Sequence, residues 1–287
     1  MLKVGLPIAL ALIMFGMGLG LTLADFTRVF KKPKAFLLGA SMQVIALPII
    51  AFCVLLVFPM QPAFAAGLMI LAACPGGVTS NVLTFISRGD VALSVSLTAI
   101  ISMIGFITVP LITSFALSHY MGEGAPELPI ASTMIGVLVI TVVPVAIGMG
   151  VRRASASFAD KAEKFFGPFS IIIFITVVLA AIFQDRQNVI PYFQQTGIPT
   201  LVLNLAMMFV AIMVGRMFLL PKDQRTAISF ECGLQNSTLG LTIALTILDQ
   251  TEISVPIAVY GLVMLITGFL FAMWLRSRSA PEAMQGA

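Results

Sequence analysis

The chain has 287 residues, of which 59% are hydrophobic and 10% are charged, and its mean hydropathy is +1.08. A soluble domain carries roughly 25% charged residues, so this composition excludes an ordinary soluble protein and indicates an integral membrane protein. The formal net charge of +4 does not indicate a nucleic-acid partner, because the basic residues lie in loops between apolar runs, where membrane orientation accounts for them.

Apolar runs long enough to cross about 30 Å of hydrocarbon, roughly 17 to 25 residues each, recur along the chain. We therefore predict an all-α polytopic membrane protein in contact with membrane lipid, with about nine transmembrane helices. The predicted spans are 5–24, 35–58, 63–87, 91–118, 129–150, 168–184, 198–220, 226–248 and 254–275.

Basic residues cluster in the loops that follow the odd-numbered spans. These loops hold Arg28, Lys31, Lys32, Lys34, Arg88, Arg152, Arg153, Lys161, Lys164, Lys222, Arg225, Arg276 and Arg278. The opposite loops hold Glu123, Glu127, Asp185, Asp249 and Glu252, with Lys3 and Arg186 as basic exceptions. The positive-inside rule then predicts a multi-pass protein of the cell inner (plasma) membrane, with its N-terminus outside and its C-terminus in the cytoplasm.

A polar stretch, RRASASFADKAEKFF (152–166), separates two groups of apolar runs. We expect it to form a solvated connector at the cytoplasmic interface. The predicted organisation is 1–150 for spans one to four, the first repeat, and span five, which begins the second repeat. Residues 151–167 form the linker, and 168–287 hold spans six to nine.

Two spans carry helix-breaking residues at comparable depth. In span three, ACPGGVTSN (73–81) places Pro75 before two glycines, and proline removes a helical hydrogen bond. In span eight, ECGLQNST (231–238) combines a glycine with five polar side chains. Such backbone survives at this depth only where protein buries it or water reaches it, so both helices are predicted to be discontinuous.

The two broken spans lie five apart in order and so cross the membrane in opposite directions. This arrangement is typical of inverted-repeat transporters, whose discontinuous helices meet at a midplane binding site. The alternative is a simple proline kink in one span and a packed polar patch in the other.

Glu231 lies within an apolar run, where an unpaired charge costs several kcal/mol or more. The spans also carry neutral oxygen ligands, in the side chains of Gln43, Ser80, Asn81, Ser94, Thr98 and Gln235. Hard oxygens suit a hard cation, and a single carboxylate fits a monovalent ion better than a divalent one. We predict sodium, with a proton relay as the alternative, and the half-helix starts would favour an organic anion in the same space.

Three segments resemble the bile acid:sodium symporter family, and in particular its bacterial members. They are MFGMGLGLTLADF (14–26), CPGGVTSNVLTFISRGDVALSVSLTAI (74–100) and SFECGLQNSTLG (229–240). The resemblance implies a core domain of spans 2–4 and 7–9 that contains two crossed discontinuous helices, beside a panel domain of spans 1, 5 and 6. It also implies two sodium ions near the crossing and import of an organic anion by alternating access.

The family motifs imply specific ligands in this chain. The first sodium ion would be held by Ser80, Asn81, Ser94, Thr98 and Glu231, and the second by Gln43, Gln235, Glu231 and the carbonyls of Cys232 and Leu234. The substrate would contact Thr79, Asn81, Asn236 and Ser237, beside Val78 and Met264, which replace polar residues of bile-acid-binding members. The substrate is therefore expected to be a bile acid or a smaller carboxylate such as pantoate or a keto acid.

Other functions compete with symport. An enzyme is not expected, because one mid-span carboxylate and one His at a span edge supply no catalytic set. An arsenite-type efflux permease has a related architecture, and Cys74 beside a break keeps that alternative open, as does a proton-coupled anion carrier. A passive channel or a receptor also remains open, because a sequence reveals a site and not turnover.

Overall fold

The computed structural model describes residues 2–31, 33–184 and 187–284, and within these ranges it contains helices and no β-strand. The helices are α1 (Leu2–Gly20), α2 (Leu23–Lys31), α3 (Pro33–Ser41), α4 (Leu47–Val57), α5 (Pro62–Ala73), α6 (Val78–Ile86), α7 (Val91–Met121), α8 (Ile130–Ala154), α9 (Ala156–Gln184), α10 (Val189–Met217), α11 (Lys222–Gly233), α12 (Ser237–Thr242) and α13 (Thr251–Met284). A π-helical turn, Met42–Ala46, joins α3 to α4, and a second, Ile243–Ile247, extends α12.

The all-α polytopic prediction is confirmed. Five described helices are long and apolar enough to cross a membrane: Pro33–Val57, Val91–Gly124, Ile130–Ala154, Val189–Met217 and Thr251–Ser277. Shorter apolar helices cover Val4–Gly20, Pro62–Ala73 and Ser237–Ile247, and two of these are halves of the broken spans. The count of nine spans remains a prediction.

Both predicted helix breaks are present, and they meet. The first interrupts the chain between Ala73 and Val78, and the second between Gly233 and Ser237. Gly76 and Gln235 form an antiparallel bridge, flanked by hydrogen bonds from the Gly77 N–H to the Leu234 carbonyl (3.2 Å) and from the Asn236 N–H to the Pro75 carbonyl (2.8 Å). Each break therefore satisfies backbone groups of the other, as the apolar surroundings require.

Two segments predicted to be connections are helical. The first span ends at Gly20, and the loop predicted after it forms α2, which is docked on α7 by a hydrogen bond from the Ser96 hydroxyl to the Asp25 carbonyl (2.8 Å). The linker 151–167 is almost entirely helical, because α8 extends to Ala154 and α9 begins at Ala156. Alanine and lysine favour helix whether or not a segment is apolar, so span counting by hydropathy overlooks such helices.

The Arg152 guanidinium connects this helical linker to α1. It donates to the Leu19 carbonyl at the end of α1 and lies 3.2 Å from the Asp160 carboxylate on α9. Lys32, Asp185 and Arg186, which entered the orientation prediction, lie outside the described residues.

Helices α1, α8 and α9 pack on one another, and α5, α7, α10, α11 and α13 surround the crossed breaks. Helices α1 and α8 are in close contact at Gly18 and Gly148, where a Cβ on either glycine would overlap backbone of the other helix. The division into two repeats and into core and panel domains remains a prediction.

Gly148→Val is expected to destabilise the protein by about 1–3 kcal/mol, because the added side chain must push α1 away from α8. Thermal unfolding of the purified protein would measure this. Gly136→Val on the same helix is the matched control, since nothing lies within 4 Å of a Cβ there. Equal losses in the two variants would contradict the close helix contact.

Candidate ion and substrate site

The carboxylate of Glu231 lies near the end of α11 and is fully buried. Side chains from three other parts of the chain donate hydrogen bonds to it. These donors are Ser80 (2.5 Å), Ser94 (2.6 Å) and Thr98 (2.9 Å) to Oε1, and Thr98 (2.9 Å) and Gln43 (3.1 Å) to Oε2. Among the described residues none forms a salt bridge with Glu231, so neutral donors alone surround this buried acid.

The local structure of three segments places each hydrogen-bond donor beside the Glu231 carboxylate. Ser94 and Thr98 lie four residues apart on α7 and therefore share one face of that helix. Ser80 follows the first break, in the first turn of α6. Gln43 belongs to the π-helical turn between α3 and α4, and such turns are frequent at functional sites.

Asn81 joins the cluster through its side-chain oxygen. Its Oδ1 lies 2.8 Å from the Ser94 hydroxyl and 3.3 Å from the Thr98 hydroxyl. Each hydroxyl has one hydrogen but contacts oxygens of both Asn81 and Glu231, so acceptors outnumber donors. The five residues predicted for the first sodium ion therefore form one oxygen-rich cluster in which some oxygen lone pairs accept no hydrogen bond.

The residues predicted for the second sodium ion also lie together. The Gln43 amide nitrogen donates to the Glu231 carbonyl (2.8 Å), and the Gln235 amide nitrogen donates to the Cys232 carbonyl (2.8 Å). The side-chain oxygens of both glutamines are buried without a hydrogen-bond partner among the described residues. Buried acceptors of this kind are costly when unpaired, and contact with a bound cation would satisfy them.

Five of the six residues predicted to contact substrate line one small cavity of about 40 Å³: Val78, Thr79, Asn236, Ser237 and Met264. Asn236 caps α12 by accepting from the Leu239 N–H (3.0 Å). Phe174 of α9 closes one side of this cavity, where its ring fits against Gly261.

The sixth residue, Asn81, lines a larger cavity of about 700 Å³ between α1, α6, α7 and α9. Val78 lines both cavities and so lies at their junction. The described lining of the larger cavity is apolar apart from Asn81, Asp160 and Lys164. Asn81 therefore faces the ion cluster on one side and a mainly apolar space on the other.

The sequence prediction missed one polar network, formed by Asn204, Tyr260 and Thr267. The Asn204 amide nitrogen (2.7 Å) and the Tyr260 hydroxyl (3.0 Å) both donate to the Gly233 carbonyl. The Thr267 hydroxyl donates to the Asn204 side-chain oxygen (2.7 Å). An asparagine within an apolar run was a signal that these residues have polar partners inside the protein.

Comparison with known proteins agrees with the family resemblance of the sequence motifs. A family model described as the sodium bile acid symporter family matches residues 7–192. The chain is 30% identical over 283 residues to the probable sodium/metabolite cotransporter BASS1, chloroplastic, of Arabidopsis thaliana, which covers 97% of this chain and 68% of that protein.

Two further relatives come from a bacterium and from human. The chain is 27% identical over 275 residues to the uncharacterized sodium-dependent transporter YocS of Bacillus subtilis (strain 168), covering 94% of this chain and 82% of that protein. It is 30% identical over 254 residues to the ileal sodium/bile acid cotransporter of Homo sapiens, covering 87% and 71%.

Gly76→Ala is expected to weaken the ion site, because a Cβ there would lie 2.5 Å from the Glu231 Oε2 atom and 3.3 Å from the Gln43 amide nitrogen. The sodium concentration that half-maximally stabilises the purified protein against heat should rise about tenfold or more, which corresponds to 1.4 kcal/mol or more. Potassium chloride at equal ionic strength provides the reference.

Gly77→Ala is the matched control, since its Cβ would meet no atom nearer than 3.4 Å, the Gln235 carbonyl oxygen. It should retain a sodium response close to that of the wild type. A wild-type response in Gly76→Ala would show that the Glu231 carboxylate is not part of the ion site.

Proposed function

Because the chain belongs to the sodium bile acid symporter family, we propose that it is a sodium-coupled symporter that imports an organic anion across the cell inner membrane by alternating access. The observation that supports this function most directly is the fully buried Glu231, which has neutral donors and no basic partner among the described residues. A buried carboxylate without a cation is costly, and co-transported sodium removes that cost.

Two sodium ions are proposed as co-substrates. The hydroxyl cluster with Asn81 would hold one, and the unpaired side-chain oxygens of Gln43 and Gln235 would help to hold the other. Glu231 would contribute to both. With two monovalent cations and one carboxylate, the filled site carries a net positive charge, which an anionic substrate would neutralise.

This charge balance couples the two solutes. Sodium raises the affinity for the anion, and by linkage the anion raises the affinity for sodium to the same extent. Val78 at the start of α6 and Ser237 at the start of α12 both line the small cavity. Helix starts favour anions, so the anionic head would bind there.

The size and lining of the larger cavity favour one class of substrate. Its volume of about 700 Å³ and its mainly apolar described lining fit a carboxylate with a substantial apolar body, such as a bile acid. Val78 and Met264 add apolar surface at the inner end, so the polar contacts to the substrate would come from Thr79, Asn81, Asn236 and Ser237. Pantoate and keto acids would fill less of this space.

The position of the larger cavity suggests the release route. It extends from Asn81 to Asp160 and Lys164 near the start of α9, the side for which the basic loops predict the cytoplasm. Toward the other side, the Phe174 ring packs against Gly261. In the proposed cycle, the α1, α8 and α9 group moves against the remaining helices to expose the same site on either side.

The alternative functions receive less support. For arsenite-type efflux, the Cys74 thiol is buried and already donates to the Ile70 carbonyl (3.3 Å). A proton on Glu231 would serve a proton-coupled carrier, but it would leave the oxygens of Gln43 and Gln235 unpaired.

Proteoliposomes that contain the purified protein should accumulate one of taurocholate, pantoate or pyruvate when sodium is applied outside. They should not accumulate it when potassium replaces sodium. Glu231→Ala should lower the sodium-driven rate about a hundredfold or more, because both ion sites lose their only charged ligand, a loss of about 2.7 kcal/mol or more.

Glu252→Gln provides the matched control, since this carboxylate is exposed at the start of α13 and outside the site. Its uptake should equal that of the wild type. Equal uptake in sodium and potassium, or full uptake by Glu231→Ala, would contradict the proposed symport.

A further inference from the structure

The carbonyl of Gly233 receives two donors from helices that supply none of the predicted ion ligands. The Asn204 amide on α10 and the Tyr260 hydroxyl on α13 both donate to it, at 2.7 and 3.0 Å. Both donors are fully buried. Gly233 is the last residue of α11 and lies between Cys232 and Leu234, whose carbonyls are predicted to bind the second sodium ion.

Chemistry fixes the direction of the bonds to the Gly233 carbonyl. A carbonyl oxygen can only accept, so the Asn204 amide must present its nitrogen to Gly233 and its oxygen to the opposite side. That oxygen lies 2.7 Å from the Thr267 hydroxyl, whose one hydrogen is shared between it and the Val263 carbonyl at 2.8 Å. When the Thr267 hydroxyl donates to this oxygen, it favours the orientation in which the Asn204 nitrogen donates to Gly233.

The backbone links this network to the ion site. Leu234 is extended, with φ −115° and ψ 102°, so the carbonyls before and after it point in opposite directions. The Gly233 carbonyl points toward α10 and α13. The Leu234 carbonyl points toward the crossing, where it accepts from the Gly77 N–H at 3.2 Å. Only the φ and ψ angles of Leu234 separate the two carbonyls, so holding the first restricts the orientation of the second.

We propose that Tyr260, Asn204 and Thr267 are positioning residues that orient the Leu234 carbonyl toward the second sodium ion. This inference rests on the proposed function. The three side chains do not touch the ion. They hold the backbone of the break in the conformation that binds sodium, so less conformational entropy is lost when the ion binds. The same network ties α10 and α13 to the ion site.

Tyr260→Phe tests the inference, because it removes one donor and changes the side-chain volume little. The sodium concentration for half-maximal thermal stabilisation of the purified full chain should rise about three- to tenfold, the effect of one lost buried hydrogen bond. Thr267→Val should shift it in the same direction, and Thr267→Ser, which keeps the hydroxyl, should restore the wild-type value.

Tyr120→Phe is the matched control, since the Tyr120 hydroxyl is buried without a hydrogen-bond partner among the described residues. It should leave the sodium concentration for half-maximal stabilisation unchanged. In a Gln235→Ala background, which weakens the second site directly, Tyr260→Phe should add less than about twofold, because the two changes act on one site.

The outcomes separate this inference from the proposed function. If Tyr260→Phe unfolds at a lower temperature without sodium but keeps the wild-type sodium dependence, the network is merely structural and the inference fails. A Thr267→Ser variant that remains as impaired as Thr267→Val also overturns it. A wild type that does not respond to sodium at all would overturn the proposed function and, with it, this inference.

Discussion

The burial of one carboxylate, that of Glu231, is the constraint on which the rest of the site depends. Full burial of an ionised group is unfavourable unless hydrogen bonds and an opposite charge compensate for it. The structure supplies the hydrogen bonds from the π-helical turn, α6 and α7, and the described residues supply no opposite charge. In the proposed function, a sodium ion from solution supplies that charge.

The crossed breaks follow from the same requirement. Ligands for a bare cation must converge from several directions, and a continuous helix uses its carbonyls internally. Interrupting two helices at one place frees carbonyls beside Glu231, while the Gly76–Gln235 bridge pairs the backbone groups that would otherwise be left exposed to an apolar environment. Glycine at position 76 leaves the space that the carboxylate occupies.

The sequence predicted the features that have a strong local cause. Proline and glycine next to polar residues in an apolar run predicted both breaks, and the isolated charge of Glu231 indicated the centre of the candidate site. Helix α2 and the helical linker were missed because apolar run length does not detect helices that are partly polar. The Gly233 network was missed because its members, Asn204 and Tyr260, meet only after α10 and α13 pack around the break.

The central claim, that Glu231 is shared by two sodium ions, is tested most directly by equilibrium dialysis of the purified protein against radioactive sodium, with a count of the ions bound per chain. The account predicts two ions bound by the wild type and the loss of both in Glu231→Ala, because each site depends on this carboxylate. A Glu231→Ala variant that binds as many sodium ions as the wild type would contradict it.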